Sequence, residues 1–194
     1  MAKLYFRYGA MNSGKSTSML QAAYNYEERG HHVLLAKPSV DTKGDRGVLS
    51  RLGVTRGVDF LLTPETDAFA LFQEHRARVL AESGLDVSCL LVDEAQFLDP
   101  GQVDDLFRIA VLDGVPVLAY GLRTDFRGEP FPGSAYLLAL ADDIEEIKNI
   151  CTCGKKATMN IRVDENGKRI KEGEQISIGG NESYRQACGR CFYS

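Results

Sequence analysis

A lysine and a serine that close a glycine-framed octapeptide are the first residues in this chain equipped for chemistry. Gly9-Ala10-Met11-Asn12-Ser13-Gly14-Lys15-Ser16 has the spacing G-x-x-x-x-G-K-S. Between a strand and a helix, that spacing forms a phosphate-binding loop. Successive backbone N–H groups converge into an anion nest, and the following helix adds the positive end of its dipole. Lys15 would bring a full charge to the outer phosphates, and the Ser16 hydroxyl could ligate Mg²⁺. Gly9 is expected to permit the turn and Gly14 to let phosphate approach the backbone.

The second candidate is a pair of carboxylates. Leu90-Leu91-Val92-Asp93-Glu94 is an apolar run ending in two acids. Phosphate-binding loops are commonly served by an acid from a second strand tip that holds the metal. Asp93 would hold Mg²⁺, directly or through water. Glu94 would then be free to accept a proton from the hydroxyl or water that attacks the γ-phosphate.

The third candidate is a thiol cluster. Cys151 and Cys153 flank one residue, Cys188 and Cys191 flank two, and residues 154–187 separate the pairs. Two close thiolate pairs suit a tetrahedral Zn²⁺ site, and four ligands leave no open position, so the zinc would be structural. Such a site pins both ends of a long glycine-bearing segment, the arrangement of a lid or binding loop. Cys89, inside an apolar run, reads as a small buried hydrophobe.

These groups need scaffolding. Residues 3–8 read as a strand, 16–29 as a helix stopped by Gly30, and 32–37 as a second strand ended by Pro38. Residues 39–57 are polar, glycine-rich and aperiodic and read as a flexible connection. A short strand is expected at 58–62, then a helix opening at Thr63-Pro64-Glu65 and running to Ser83, with Phe69, Phe72, Val79 and Leu80 facing inward. The uninterrupted apolar run Val87–Asp93 suits a strand covered on both faces. Asp99 and Gln102 have capping-box spacing for a helix to Asp113. A strand at 116–122, a glycine- and proline-rich loop, a helix at 134–141 and a strand at 144–150 complete the alternation. The sum is an α/β fold of the P-loop NTPase type: a doubly wound, mainly parallel sheet over residues 1–150, followed by a small C-terminal zinc-binding lobe over 151–194.

Composition sets outer bounds. The chain has 194 residues, 26% of them charged, and a net charge of −4, which gives no support for nonspecific nucleic-acid binding. No apolar run reaches membrane-spanning length. The N-terminus enters the first strand without a signal-peptide pattern, so a cytoplasmic location is expected, where thiols stay reduced.

Taken together, the residues resemble the type II thymidine kinase family, the compact group that includes the vertebrate cytosolic enzyme. The resemblance covers nearly the whole chain. Its marks are Gly-Ala-Met-Asn-Ser-Gly-Lys-Ser-Thr at 9–17, Asp-Glu-Ala-Gln-Phe at 93–97, Tyr-Gly-Leu-Arg-Thr-Asp-Phe-Arg-Gly at 120–128, Ile-Gly-Gly-Asn-Glu-Ser-Tyr at 178–184 and the cysteine pairs. The resemblance implies transfer of the ATP γ-phosphate to the 5′-hydroxyl of thymidine, with Mg²⁺ accompanying ATP. It implies Glu94 as general base, with Asp93 and Gln96 beside the nucleotide and metal. Phe126 would border the nucleoside, Met11, Phe97 and Leu122 would line the base pocket, and Tyr184 would pack against it. The backbone of Gln175, Ile176, Ser177, Ile178 and Gly179 would hydrogen-bond the thymine edge within a lasso-like loop. The family is typically a homotetramer inhibited by thymidine triphosphate (dTTP). It also carries an arginine after the acid that follows the second strand. Here that segment is Asp41-Thr42-Lys43-Gly44-Asp45-Arg46, so Lys43 and Arg46 are both candidates for the phosphate clamp.

Two other readings compete. Asp-Glu-Ala-Gln superficially matches a helicase box, which would suit a nucleic-acid-dependent ATPase with a zinc ribbon. The short chain, single phosphate loop and acidic balance weigh against it. A nonenzymatic nucleotide sensor is weighed against by Lys15 and Glu94.

Overall fold

The computed structural model describes residues 1–39, 47–49, 55–175 and 183–194. At its centre are six parallel strands: β1 (Leu4–Tyr8), β2 (His32–Pro38), β5 (Phe60–Leu62), β6 (Val87–Val92), β7 (Val117–Gly121) and β8 (Asp143–Glu146). Their order across the sheet is β5-β2-β6-β7-β1-β8, and each neighbouring pair is parallel. Because all six run the same way, every strand tip that could carry chemistry lies at one edge.

Alternation along the strands sorts side chains to two faces. Leu34 and Ala36 of β2, Leu90 and Val92 of β6 and Val117 and Ala119 of β7 join the larger core. That face is covered by α2 (Ala68–Ser83), α3 (Pro100–Leu112) and α4 (Pro132–Leu140), through Phe72, Val103, Leu106, Ile109 and Leu137. Val33, Leu35, Cys89, Leu91, Leu118 and Tyr120 face the other way and pack with Met19, Leu20 and Ala23 of α1 (Lys15–Glu27). Cys89 is wholly buried there, where burial pushes its thiol up to about 12.

The described part of the 39–57 stretch, expected as a flexible connection, contains two short strands. β3 (Gly47–Leu49) and β4 (Thr55–Gly57) pair antiparallel, with Val48 opposite Arg56. Val48 is buried in the α1-side core. Arg56 reaches the Val33 carbonyl at 2.9 Å and Glu27 at 2.9 Å. Strands of three residues in a polar stretch leave no periodicity to read.

Two other boundaries shift, and one side chain expected inside is exposed. The helix expected from Thr63 begins at Ala68, capped by Asp67, whose Oδ1 accepts from Ala70 N at 2.8 Å. Thr63 and Thr66 instead close a turn of their own, Thr66 N donating to Thr63 O at 3.0 Å. Leu80, expected inside, is 49% exposed. The strand expected over 144–150 is split. β8 edges the main sheet, whereas β9 (Asn149–Ile150) pairs with β10 (Lys156–Ala157). The capping box at Asp99 and Gln102 forms as expected, with both reciprocal hydrogen bonds present.

Beyond β10, a three-stranded antiparallel sheet places β11 (Met159–Val163) between β12 (Arg169–Ile170) and β13 (Tyr184–Ala187). The chain closes with α5 (Gly189–Tyr193).

Candidate active site at three strand tips

Three neighbouring strand tips build the site. β1 delivers the glycine loop, β6 delivers Asp93 and Glu94, and the tip of β7 lies between them. Gly9 N donates to Gly121 O at 3.3 Å, tying the loop to β7. Leu122 N donates to Gln96 Oε1 at 3.0 Å, tying β7 to the 3₁₀ turn Ala95–Phe97. Gly121 makes this approach feasible, since a Cβ there would sit 2.7 Å from Gln96 Oε1 and 3.1 Å from Gln96 N.

The two loop glycines are required for different reasons. Gly9 needs room: its Cβ would lie 2.5 Å from Ser13 Oγ and 2.7 Å from Ile147 O. Gly14 needs conformation: its φ of +86° is left-handed, and a Cβ there would meet no protein atom within 4 Å. Asn12 is also left-handed, with φ 61°. The Ser13 hydroxyl is buried and has no hydrogen-bond partner among the described residues. A buried hydroxyl left without a partner in this loop is a group that an oxygen-rich anion could satisfy. Lys15 Nζ donates to Ala10 O at 3.0 Å and Gly9 O at 3.3 Å, so its ammonium folds against the loop. Burial lowers its pKa, while the nearby charges of Glu94 and Asp93 oppose that shift.

Asp93 is 5% exposed, and its Oδ1 accepts from Glu94 N at 3.0 Å. Burial, reinforced by the Glu94 charge, pushes Asp93 up to about 7. Lys15 and Lys37 pull the other way. Glu94 has φ 50°, an unusual conformation for a residue with a side chain, and it sits where a chemical role is expected. Its Oε2 accepts from Gln96 Nε2 at 2.5 Å. The Gln96 amide is therefore held at both ends: its oxygen takes the Leu122 N–H and its nitrogen faces Glu94.

Phe97 stacks edge-on with Phe131 at 5.6 Å and Phe126 with Tyr184 at 6.5 Å. Phe126 is 1% exposed; Leu122, Phe97, Tyr184 and Met11 are half-buried. The turn carrying Phe126 is locked by Asp125, whose Oδ1 accepts from Arg127 N and Glu129 N at 2.8 and 2.9 Å. Gln175 Nε2 points at Pro130 O at 3.4 Å. Ile176, Ser177, Ile178 and Gly179, like Lys43 and Arg46, lie outside the described residues.

Two buried polar residues at the site escaped the sequence reading. Lys37 is 6% exposed at the tip of β2, just beyond the Ala36–Val92 pair, and so next to Asp93. Its signal was a lone charge ending an apolar strand. Asn160 of β11 is 4% exposed and accepts from Met11 N at 2.8 Å; nothing in its sequence neighbourhood marks it.

The four cysteines gather as expected. Their Sγ atoms all lie within 4.8 Å of one another, and Cys153 Sγ is 3.6 Å from Cys188 Sγ. Tetrahedral Zn–S bonds of about 2.3 Å separate sulfurs by about 3.8 Å, so the set fits zinc. Backbone N–H groups of Cys153 and Cys188 pull Cys151 down to about 6, while hydrogen bonds to Cys153 and Cys188 hold the Cys191 proton and push it up to about 12. Four thiols this close cannot all ionise without a cation between them.

A single parallel sheet with a glycine loop at one tip and paired acids two strands away defines an α/β P-loop phosphotransfer protein, here with a four-thiol lobe. The family model described as thymidine kinase matches residues 2–192. A thymidine kinase of Chromobacterium violaceum is 51% identical over 194 residues, 100% of this chain and 99% of that protein. One from Legionella pneumophila (strain Lens) is 52% identical over 97% of this chain and 88% of its own length, and one from Coxiella burnetii is 51% identical over 99% and 95%. The chain belongs to the thymidine kinase family.

Proposed function

We infer that this protein phosphorylates thymidine, transferring the γ-phosphoryl group of ATP to the 5′-hydroxyl to give thymidine monophosphate. The observation that supports the residue assignment is the run of hydrogen bonds from Gly9 to Gly121 and from Leu122 through Gln96 to Glu94, which crosses β7 and brings Lys15 within electrostatic reach of Asp93 and Glu94. The loop from Gly9 to Ser16, with Ala10, Met11, Asn12, Ser13 and Gly14, would cradle the triphosphate. Lys15 would shift from the Gly9 and Ala10 carbonyls to the outer phosphates. Mg²⁺, when bound with ATP, neutralises phosphate charge; Ser16 and Asp93 would hold it, with Gln96 beside them.

Glu94 takes the proton of the 5′-hydroxyl. The freed oxygen bonds to the γ-phosphorus, the bond to the β–γ bridging oxygen breaks, and ADP leaves. Gln96 aims the carboxylate. Phe97, Leu122, Phe126 and Tyr184 would enclose the base, with the backbone of 175–179 reading its edge. A pocket shaped around the 5-methyl group favours thymine over uracil by about 1–3 kcal/mol.

The same reading assigns ATP binding to residues 1–150 and the zinc lobe and lasso to 151–194. Homotetramer formation, feedback inhibition by dTTP and a cytoplasmic location complete it, supported by family membership and by five unpaired thiols. Among the described residues, no helix is long and apolar enough to cross a membrane.

The test is direct: incubate the purified protein with Mg-ATP and each nucleoside in turn. Thymidine monophosphate is the expected product. ATP hydrolysis stimulated by DNA or RNA, with no nucleoside phosphorylated, would overturn the reading in favour of the zinc-ribbon ATPase.

A further inference from the structure

Met11 is held from outside the nucleotide sheet at both of its backbone polar groups. Its N–H donates to Asn160 Oδ1 at 2.8 Å, and its carbonyl accepts from Asn149 Nδ2 at 3.1 Å. Asn149 opens β9 and Asn160 lies within β11. Between them in the chain lie Cys151 and Cys153, in the turn that joins β9 to β10. Thr158 N, just before β11, donates to Ala187 O at 3.0 Å, next to Cys188. The two amides therefore project from strands fastened together at the four thiols.

A buried amide is costly unless its polar atoms are paired, and Asn160 is 4% exposed with its oxygen committed to the glycine loop. The loop is thus gripped from two sides. Lys15 ties the Gly9 and Ala10 carbonyls from within, and the two asparagines tie Met11 from without. When phosphate draws Lys15 away, the inner tie is lost and the outer one remains.

We propose that Asn160, assisted by Asn149, is a positioning residue for the phosphate-binding loop, and that through it the four-cysteine lobe sets the affinity for ATP. The proposal rests on residues 9–16 binding the triphosphate. A loop held open in its binding shape need not be ordered by the ligand, and affinity rises by the ordering cost avoided. A merely structural asparagine would instead affect both substrates and thermal stability together.

The experiment measures Mg-ATP affinity by calorimetry, with KM for each substrate and kcat, in wild type, Asn160→Ala, Asn149→Ala and Lys15→Ala. Asn160→Ala should weaken ATP binding about tenfold, the scale of one lost buried hydrogen bond. Its thymidine KM, and its kcat at saturating ATP, should stay within about twofold of wild type. Asn149→Ala should show the same split more weakly, and it carries the test if Asn160→Ala fails to fold. Stripping metal with a chelator should weaken ATP binding in wild type but add little in Asn160→Ala, because both act through one contact. Wild-type ATP affinity in the asparagine variants, an equal loss for both substrates, or indifference of wild-type affinity to chelation would each overturn the proposal. Undiminished ATP binding in Lys15→Ala would instead sink the underlying assignment of the loop.

Discussion

Asp93 is the residue whose environment is most at odds with its charge. Its pKa lies near 7, raised by burial and by Glu94, against about 4 in an unfolded chain. The folded state therefore binds more protons than the unfolded state between those values, and stability falls as pH rises through that window. The penalty is absent below pH 4 and complete above pH 7. Asp93→Asn should raise the melting temperature of the nucleotide-free protein by several degrees at pH 8 and hardly at all at pH 4, by calorimetry. The same variant should lose Mg-ATP-dependent turnover, since the charge that costs stability is the one the proposed Mg²⁺ site would use. Gln96 also matters at this scale. Gln96→Leu removes both the donor to Glu94 and the acceptor for Leu122 N, and should lower kcat more than it raises either KM.

At the scale of elements, close approach sets the tolerances. The first turn of α4 rests on the acid-bearing turn at Gly133, where a Cβ would lie 2.6 Å from Ala95 O, 2.7 Å from Leu98 O and 2.9 Å from Gln96 O. All three are backbone atoms and cannot swing aside. Gly133→Ala should cost about 1–3 kcal/mol in denaturant unfolding and disturb Glu94 through the turn it displaces. Asp99→Ala, which removes the α3 cap, should cost about 1 kcal/mol and leave kinetics unchanged. The cap was legible because its two residues carry their own geometry. So was the parallel sheet, from continuous apolar runs punctuated by glycine and proline, and so was the thiol cluster, from spacing. The β3–β4 pair was not legible, being short, set in a polar stretch and held by Arg56 across the chain. Nor was the late start of α2, since Thr63-Pro64-Glu65 has helix-opening chemistry that a local turn uses instead. The contacts of Asn149 and Asn160 with the loop link residues some 140 to 150 positions apart, and no local pattern encodes such a pairing.

For the whole molecule, the four-thiol lobe and the parallel sheet meet at the phosphate loop. Gly128, with φ +90°, brings the Phe126 turn against Phe192 of α5, where a Cβ would lie 3.3 Å from the ring. The lobe thus touches both the glycine loop and the turn that carries Phe126. Removing its metal should lower the melting temperature and release zinc stoichiometric with the chain, as read by a chromogenic indicator. Added Zn²⁺, but not Mg²⁺, should restore the original melting temperature, because thiolates prefer the softer ion.

The central claim is that the loop at the tip of β1 presents a triphosphate to a carboxylate at the tip of β6. Turnover and ATP affinity of Glu94→Gln, measured on the same preparation, test it most directly. The substitution keeps the side chain's shape and removes its basicity. Thymidine phosphorylation should fall by about 10²–10⁴-fold, the usual worth of a general base, while the ATP dissociation constant stays within about twofold of wild type. Turnover equal to wild type in Glu94→Gln would contradict the account.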